Sequence, residues 1–431
     1  MSPNRVSSNL NEPQPNPRFF YGWVVVAVLG IIGGISTFIG VGNFGVFVVP
    51  MSEDLGVGNS YFGWALSARL FGFAISGPLI GRCIDKYGTR LPLAIGGFLF
   101  GGSAIAFFFI EAGWQMIGIT LFAGITGFWG SSTLYLTVPI AKWFVKKRGR
   151  AMSLFFPCVP LGIGLGSPAT QLVIDAFGWR GAWLVLGVVG GLSITILSLV
   201  FVRNDPSSIG LLPDGEVKSI VNAQSSNSSL DEYPWTLREA MATGAFWKIS
   251  ASYGLLMAAM GSVGVFWIPF LRSIDISPHI AALAFSTQAF TQVIAAILIA
   301  PWIDRISPRY LAMSGFTSVA IALVIAANAS EAWHGFLGAT LIGLGIGTAM
   351  LMQTHIWPVY FGRVNIGAIR GAATPITLVM TATGAPILSI LFDNYGFATG
   401  WVVAGVALTV GIALLLISPK PFISVPGKNN S

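Results

Sequence analysis

Residues 61 to 81 carry a single formal charge, Arg69, in an otherwise apolar stretch long enough to cross a bilayer. A cation at the centre of a membrane helix costs about 2.5 to 3.5 kcal/mol even on a lenient insertion scale. Something must offset that cost. A bound carboxylate or other anion would do so; extension of the side chain to the outer headgroups, or a hydrogen bond to neighbouring carbonyls, would do so too. The sequence leaves these readings open. At comparable depth other apolar stretches place Thr133, Tyr135, Tyr253, Gln288, Gln292, Gln353 and His355, with Trp129 and Trp267 among them. A few polar groups in an aromatic wall make a small-molecule pocket. Taken singly, Thr and Gln also join helices inside membranes, and Trp also marks span ends. His355 is the embedded side chain of the type that exchanges protons at physiological pH, read either as a relay or as a structural hydrogen-bond partner.

Other chemistries find little support. Gly162-x-Gly164-x-Gly166-Ser167-Pro168 has a superficial likeness to a nucleotide loop, but it lacks a preceding strand and lies in an apolar span. Close helix packing with a proline kink is the expectation there. The chain contains neither a Walker lysine motif, nor His-Glu-x-x-His, nor a recognisable nucleophile motif. No enzyme activity, cofactor or metal is expected. Cys83 and Cys158, at a span end and within a span, suit neither a disulfide nor a metal cluster.

The elements that must position these residues follow from composition. Of 431 residues, 54% are hydrophobic and only 9% charged, against about 25% charged in soluble domains. Charge-poor segments of about 20 residues recur about twelve times, each long enough to cross about 30 Å of hydrocarbon as a helix. The expected fold is an all-α membrane protein of twelve transmembrane helices. Residues 1–18 form a tail, 19–202 a first six-helix half, 203–245 a polar linker, 246–418 a second half and 419–431 a final tail. The first tail lacks the apolar core of a cleavable signal peptide, so the first span is expected to direct insertion. Thr236-Leu237-Arg238-Glu239 reads as a capping box opening a short helix.

The net charge of +7 could suggest nucleic acid, but the placement of the basic residues points elsewhere. With both termini cytoplasmic, all of the 23 Lys and Arg except Arg69, Arg180 and Arg272 fall on inner segments. That is the positive-inside pattern, and it excludes nucleic acid as the partner. A monomer in contact with lipid, in a cell membrane of bacterial inner-membrane type, is expected.

An internal repeat adds information that the span count does not. Gly45, Pro50, Asp85, Gly124 and Pro139 recur at Gly264, Pro269, Asp304, Gly343 and Pro358 with one offset of 219 residues. Gly149, Asp175, Gly178 and Trp183 recur at Gly367, Asp393, Gly396 and Trp401 with an offset of 218. Two halves in parallel repeat suit rocking about a site near the bilayer midplane. Arg69 has Gln288 as its mate.

The charged turn Gly81-x-x-x-Asp85-Lys86-x-Gly88-x-Arg90 resembles the loop between helices 2 and 3 of the major facilitator superfamily, and Asp304-Arg305-x-x-Pro308-Arg309 is a degraded second copy. Further features cover residues 18 to 418: Phe19 to Trp23, Lys142-Trp143-Phe144, Arg148-Gly149-x-Ala151, Gly178-Trp179-Arg180 and Phe361-Gly362-Arg363. Together they resemble the bacterial monocarboxylate transporter-like and oxalate/formate antiporter-like branch. The resemblance implies secondary transport of a small organic anion, a monocarboxylate by expectation, by alternating access coupled to protons or to exchange. An exporter of an amphipathic metabolite or drug, and a transporter-like sensor, are the alternatives. It further implies gating roles for Asp85, Lys86, Arg90, Asp304, Arg305 and Arg309, with Asp85 meeting the start of helix 11 when the cytoplasmic side closes. Carboxylate carriers of this branch place an Arg in helix 8, where this chain has Ser286, Thr287, Gln288, Thr291 and Gln292.

Overall fold

Backbone amides have no water to bond in lipid, so the apolar stretches form helices, and glycine, proline and polar turns set where these end. A computed structural model describes residues 20–40, 43–127, 133–144, 147–206, 214, 235–303, 305–362 and 365–421. In the first part of the chain lie α1 (Gly22–Ile39), α2 (Phe44–Leu55), α3 (Asn59–Tyr87), α4 (Arg90–Ala106), α5 (Gly113–Ile125), α6 (Thr133–Trp143), α7 (Arg148–Phe155) and α8 (Cys158–Phe201). In the second lie α9 (Leu237–Ala242), α10 (Gly244–Ser273), α11 (Pro278–Ile299), α12 (Pro308–Ala327), α13 (Ala332–Phe361) and α14 (Ile366–Leu416). Most of the expected linker and tails falls outside the described residues.

Among the described residues eight helical segments are long and apolar enough to cross a membrane, and α3, bent by 43° between Gly77 and Leu79, makes a ninth. With 44 and 51 residues, α8 and α14 are too long for one crossing. Each contains a non-helical glycine, Gly178 at φ 68° and Gly396 at φ 79°. Glycine enters that left-handed region without steric penalty, and the two are repeat mates. Among the described residues, helix thus fills both expected halves. The capping box at α9 also forms, with Thr236 Oγ1 accepting from the Glu239 amide at 3.3 Å and Glu239 Oε2 accepting from the Thr236 amide at 2.8 Å.

Packing follows the repeat. Trp183 is fully buried and stacks on Phe47 at 4.2 Å and Phe107 at 4.4 Å. Its mate Trp401 is equally buried against Phe392 at 4.9 Å. Within the first part α8 packs on α1 and α4, and α3 on α5; within the second, α14 packs on α10 and α12, and α13 on α11 and α12. Contact between the two groups runs mainly through α3 with α14, α8 with α11 and α2 with α10.

Candidate functional site

Arg69 lies in α3, ten residues past its start at Asn59, about 15 Å along the axis. Trp64, Phe71 and Ile75 on the same helix are 50% or more exposed and face the membrane. Arg69 is 7% exposed, and helical periodicity turns it away from that stripe, toward the protein. Snorkelling to lipid is therefore not how its charge is accommodated. Its Nε is buried and has no hydrogen-bond partner, and among the described residues no carboxylate lies within ion-pair distance.

A close helix crossing fixes the height of this side chain. A Cβ added at Gly124 of α5 would collide with the Arg69 carbonyl, and Ser76 Oγ donates to the Gly124 carbonyl at 3.4 Å. The repeat builds the same crossing in the second half, where a Cβ at Gly343 of α13 would collide with the Gln288 carbonyl. Gln288 Oε1 is likewise buried without a partner. Both repeat mates thus leave a buried polar atom unsatisfied, a donor in one half and an acceptor in the other. A buried polar atom without a protein partner calls for a water, an ion, a ligand or a functional role.

The remaining sequence candidates divide. Gln292, Gln353 and His355 are partly exposed on α11 and α13, and no hydrogen bond joins their side chains to other described residues. Tyr253 is fully buried and its hydroxyl donates to the Ala349 carbonyl at 3.1 Å, so it ties α10 to α13. Tyr135 lines a groove of about 430 Å³ with Cys83, Tyr87 and Ile95, on the membrane side of α3 and α4. Trp267 is buried beside Trp401. Thr133 opens α6; its side chain, Trp129 and Asp304 lie outside what is described.

The two halves are joined at the end opposite the basic loops. A Cβ at Gly45 would meet the Val265 carbonyl at 2.8 Å, and one at Gly63 the Ala385 carbonyl at 2.9 Å. Ser67 Oγ donates to the Ala382 carbonyl. Asp393 accepts from Asn59 and Ser60, and Asp175 pairs with His279. None of these cross-half partners stood out as functional in the sequence, although the repeat placed Asp175 and Asp393 at equivalent positions. Toward the basic end the same face of α3 carries Gly77 and Gly81, and a Cβ at either would meet nothing within 4 Å. The same holds for Gly367 and Gly371 at the start of α14. The helices part there, leaving the molecule open on the basic side.

At that open end Asp85, Lys86 and Arg305 are exposed. No hydrogen bond joins Asp85 to the other half among the described residues. Arg90 Nε donates to the Leu199 carbonyl at 2.9 Å, and its amide donates to Asn204 Oδ1 at 2.8 Å, both within the first half. Gly88, at φ 75°, lets the turn pass against Asn204. Arg309 lies over the Tyr310 ring at 4.6 Å.

Two helical groups are thus joined at one mouth and parted at the other, with a buried cation between them. Residues 30–274 match the Major Facilitator Superfamily, and the chain belongs to that family. Its members are transporters, not enzymes. The chain is 23% identical over 433 residues to monocarboxylate transporter 2 of Mus musculus, covering 96% of this chain and 87% of that one. It is 24% identical over 434 residues to the oxalate:formate antiporter of Oxalobacter formigenes, covering 94% of each. The inner membrane transport protein RhmT of Escherichia coli (strain K12) is 24% identical over 383 residues, covering 81% of this chain and 85% of RhmT. Among solved structures, the fold matches a bacterial homologue of the human lysosomal transporter Spinster with a TM-score of 0.74 at 14% identity, over 93% of this chain and 97% of that one. The branch pointed to by the sequence motifs is thus the one its relatives occupy.

Proposed function

We propose that this protein is a secondary transporter of a small organic anion, a monocarboxylate by preference, and that Arg69 is the cation that binds it. The observation carrying this reading is the buried guanidinium with an unsatisfied Nε, turned away from lipid. A carboxylate supplies both the charge and the paired acceptors that a guanidinium fork fits. The relatives named for monocarboxylates and for oxalate and formate support the same substrate class. Gln288, Gln292, Gln353 and His355 supply polar contacts from the second half, and movement proceeds by rocking of the halves, coupled to protons or to exchange. A thermal-shift screen of purified protein against short carboxylates tests this. At least one monocarboxylate should raise the melting temperature, by an amount that grows with ligand concentration. Stabilisation by amphipathic cations but by no carboxylate would contradict it.

Asp85 acts as a gate rather than a ligand. It stands sixteen residues from Arg69, about 24 Å along the helix, and is exposed at the open mouth. On closure of that mouth it meets the first amides of α14 near Gly367, which carry the positive end of the helix dipole. Asp85→Asn should slow flux severalfold while leaving the binding constant for the same carboxylate nearly unchanged. Equal loss of both would remove Asp85 from the gate.

A further inference from the structure

The closed mouth is held by two carboxylates that the internal repeat relates. Asp393, in α14, reaches the first turn of α3 in the other half. Its Oδ1 accepts from the Asn59 amide and from Asn59 Nδ2, each at 2.9 Å, and its Oδ2 accepts from the Ser60 amide at 2.8 Å. These amides belong to the start of a helix, where donors lack intrahelical partners and the dipole favours an anion. Gly58 lets the carboxylate approach, since a Cβ there would lie 3.0 Å from Asp393 Oδ2. Asp175, in α8, reaches the first turn of α11 in the same way. Its Oδ1 accepts from Gln171 Nε2 at 2.8 Å, which leaves Oδ2 facing His279 Nε2 at 3.0 Å. His279 is the repeat mate of Ser60, at the offset of 219. One latch has therefore been built twice, with an imidazole replacing amide donors in the second copy.

We propose that Asp393 and Asp175 form the outer gate of the transport cycle, and that His279 makes one half of that gate respond to external pH. Amide donors keep their protons throughout the physiological range, so the Asp393 latch is constant. An imidazole changes charge between about pH 5 and 8. With its imidazole charged, His279 forms an ion pair with Asp175 that holds the mouth shut; with the imidazole neutral, only a hydrogen bond remains there. His279 and Asp175 are 54% and 42% exposed, so the pair exchanges protons directly with the outer medium. A proton taken up there returns to the same side. The latch accordingly sets the balance of conformations rather than the number of protons moved per substrate.

Other charged groups on the adjoining segments form no ion pair with His279 among the described residues. On α8, Arg180 pairs with Asp54 and donates to the Ile110 carbonyl at 3.0 Å. On the turn before α11, Arg272 donates to the Ile276 carbonyl at 3.3 Å, and Asp275 holds a left-handed backbone at φ 61°. Among the described residues Asp175 is the acidic group within ion-pair distance of His279.

Spin labels at Glu111→Cys and Ser330→Cys, exposed residues at the outer end of each half, read the gate in a Cys83→Ser, Cys158→Ser background without any substrate. Failure of the anion reading would therefore leave this test intact. The ratio of open to closed outer mouth should rise about two- to fivefold between about pH 5.5 and about pH 8.5, the range an exposed ion pair sustains. His279→Gln and Asp175→Asn should each flatten that dependence. Asp393→Asn should raise the open fraction at both pH values and keep the slope. A slope that survives His279→Gln, a wild-type protein without a slope, or an unchanged distribution in Asp393→Asn would overturn the proposal.

Discussion

Arg69→Gln should weaken binding of the transported carboxylate about 10- to 150-fold, the equivalent of about 1.5 to 3 kcal/mol for a hydrogen bond to a charged group. Flux at subsaturating substrate should fall in proportion. Arg69→Lys should fall between, because a point ammonium keeps the charge but not the guanidinium's paired donors. The ligand-free protein should behave in the opposite sense. Arg69 is a buried cation with an unsatisfied Nε, so its replacement by a neutral side chain relieves a desolvation penalty. Arg69→Gln should therefore melt no lower than wild type without ligand, while losing the stabilisation that ligand confers. A residue with a purely structural role would show the reverse, a lower melting temperature with ligand stabilisation retained.

Substitution of Gly124 should have the next largest effect. Its Cα faces the Arg69 carbonyl so closely that a methyl group would collide with backbone, which cannot swing aside as a side chain can. Gly124→Ala should push α5 from α3 and destabilise by about 1 to 3 kcal/mol, as overpacking does. It should also shift Arg69 and weaken binding. Gly343→Ala should act likewise on α11 and α13 through the Gln288 carbonyl. Gly118→Ala on the same helix, where an added Cβ meets nothing within 4 Å, is the control and should be neutral or mildly stabilising. Thermal unfolding in detergent separates the three variants. Equal melting temperatures for Gly118→Ala and Gly124→Ala would contradict the crossing.

These expectations also show which features were legible in the sequence. Helix positions were readable because lipid permits only helix or closed barrel for an apolar span; Gly124 and Gly343 were readable as repeat mates, but the crossing each makes was not. Gly178 and Gly396 were readable as repeat mates, but their left-handed turns belong to backbone geometry. Which way Arg69 points was not readable. Its position in the span fits a cavity or a headgroup equally well, and only the exposed Trp64, Phe71 and Ile75 settle the face. Tyr253 looked like a pocket residue because an embedded hydroxyl suits either a ligand or a neighbouring carbonyl; the Ala349 carbonyl sits on α13, 96 residues further along the chain. Nothing in the sequence singled out His279, and Asp175 stood out only as the repeat mate of Asp393. Their pairing depends on how two halves meet, and one sequence serves both the closed and the open arrangement of that mouth.

The most direct test of the central claim is counterflow in proteoliposomes loaded with an unlabelled monocarboxylate chosen from the thermal-shift screen. Labelled monocarboxylate added outside should accumulate transiently above its external concentration, and Arg69→Gln should abolish the overshoot in vesicles containing equal amounts of folded protein. Accumulation by the Gln variant equal to wild type would contradict the assignment of Arg69, and entry no faster than into protein-free liposomes would contradict organic-anion transport itself.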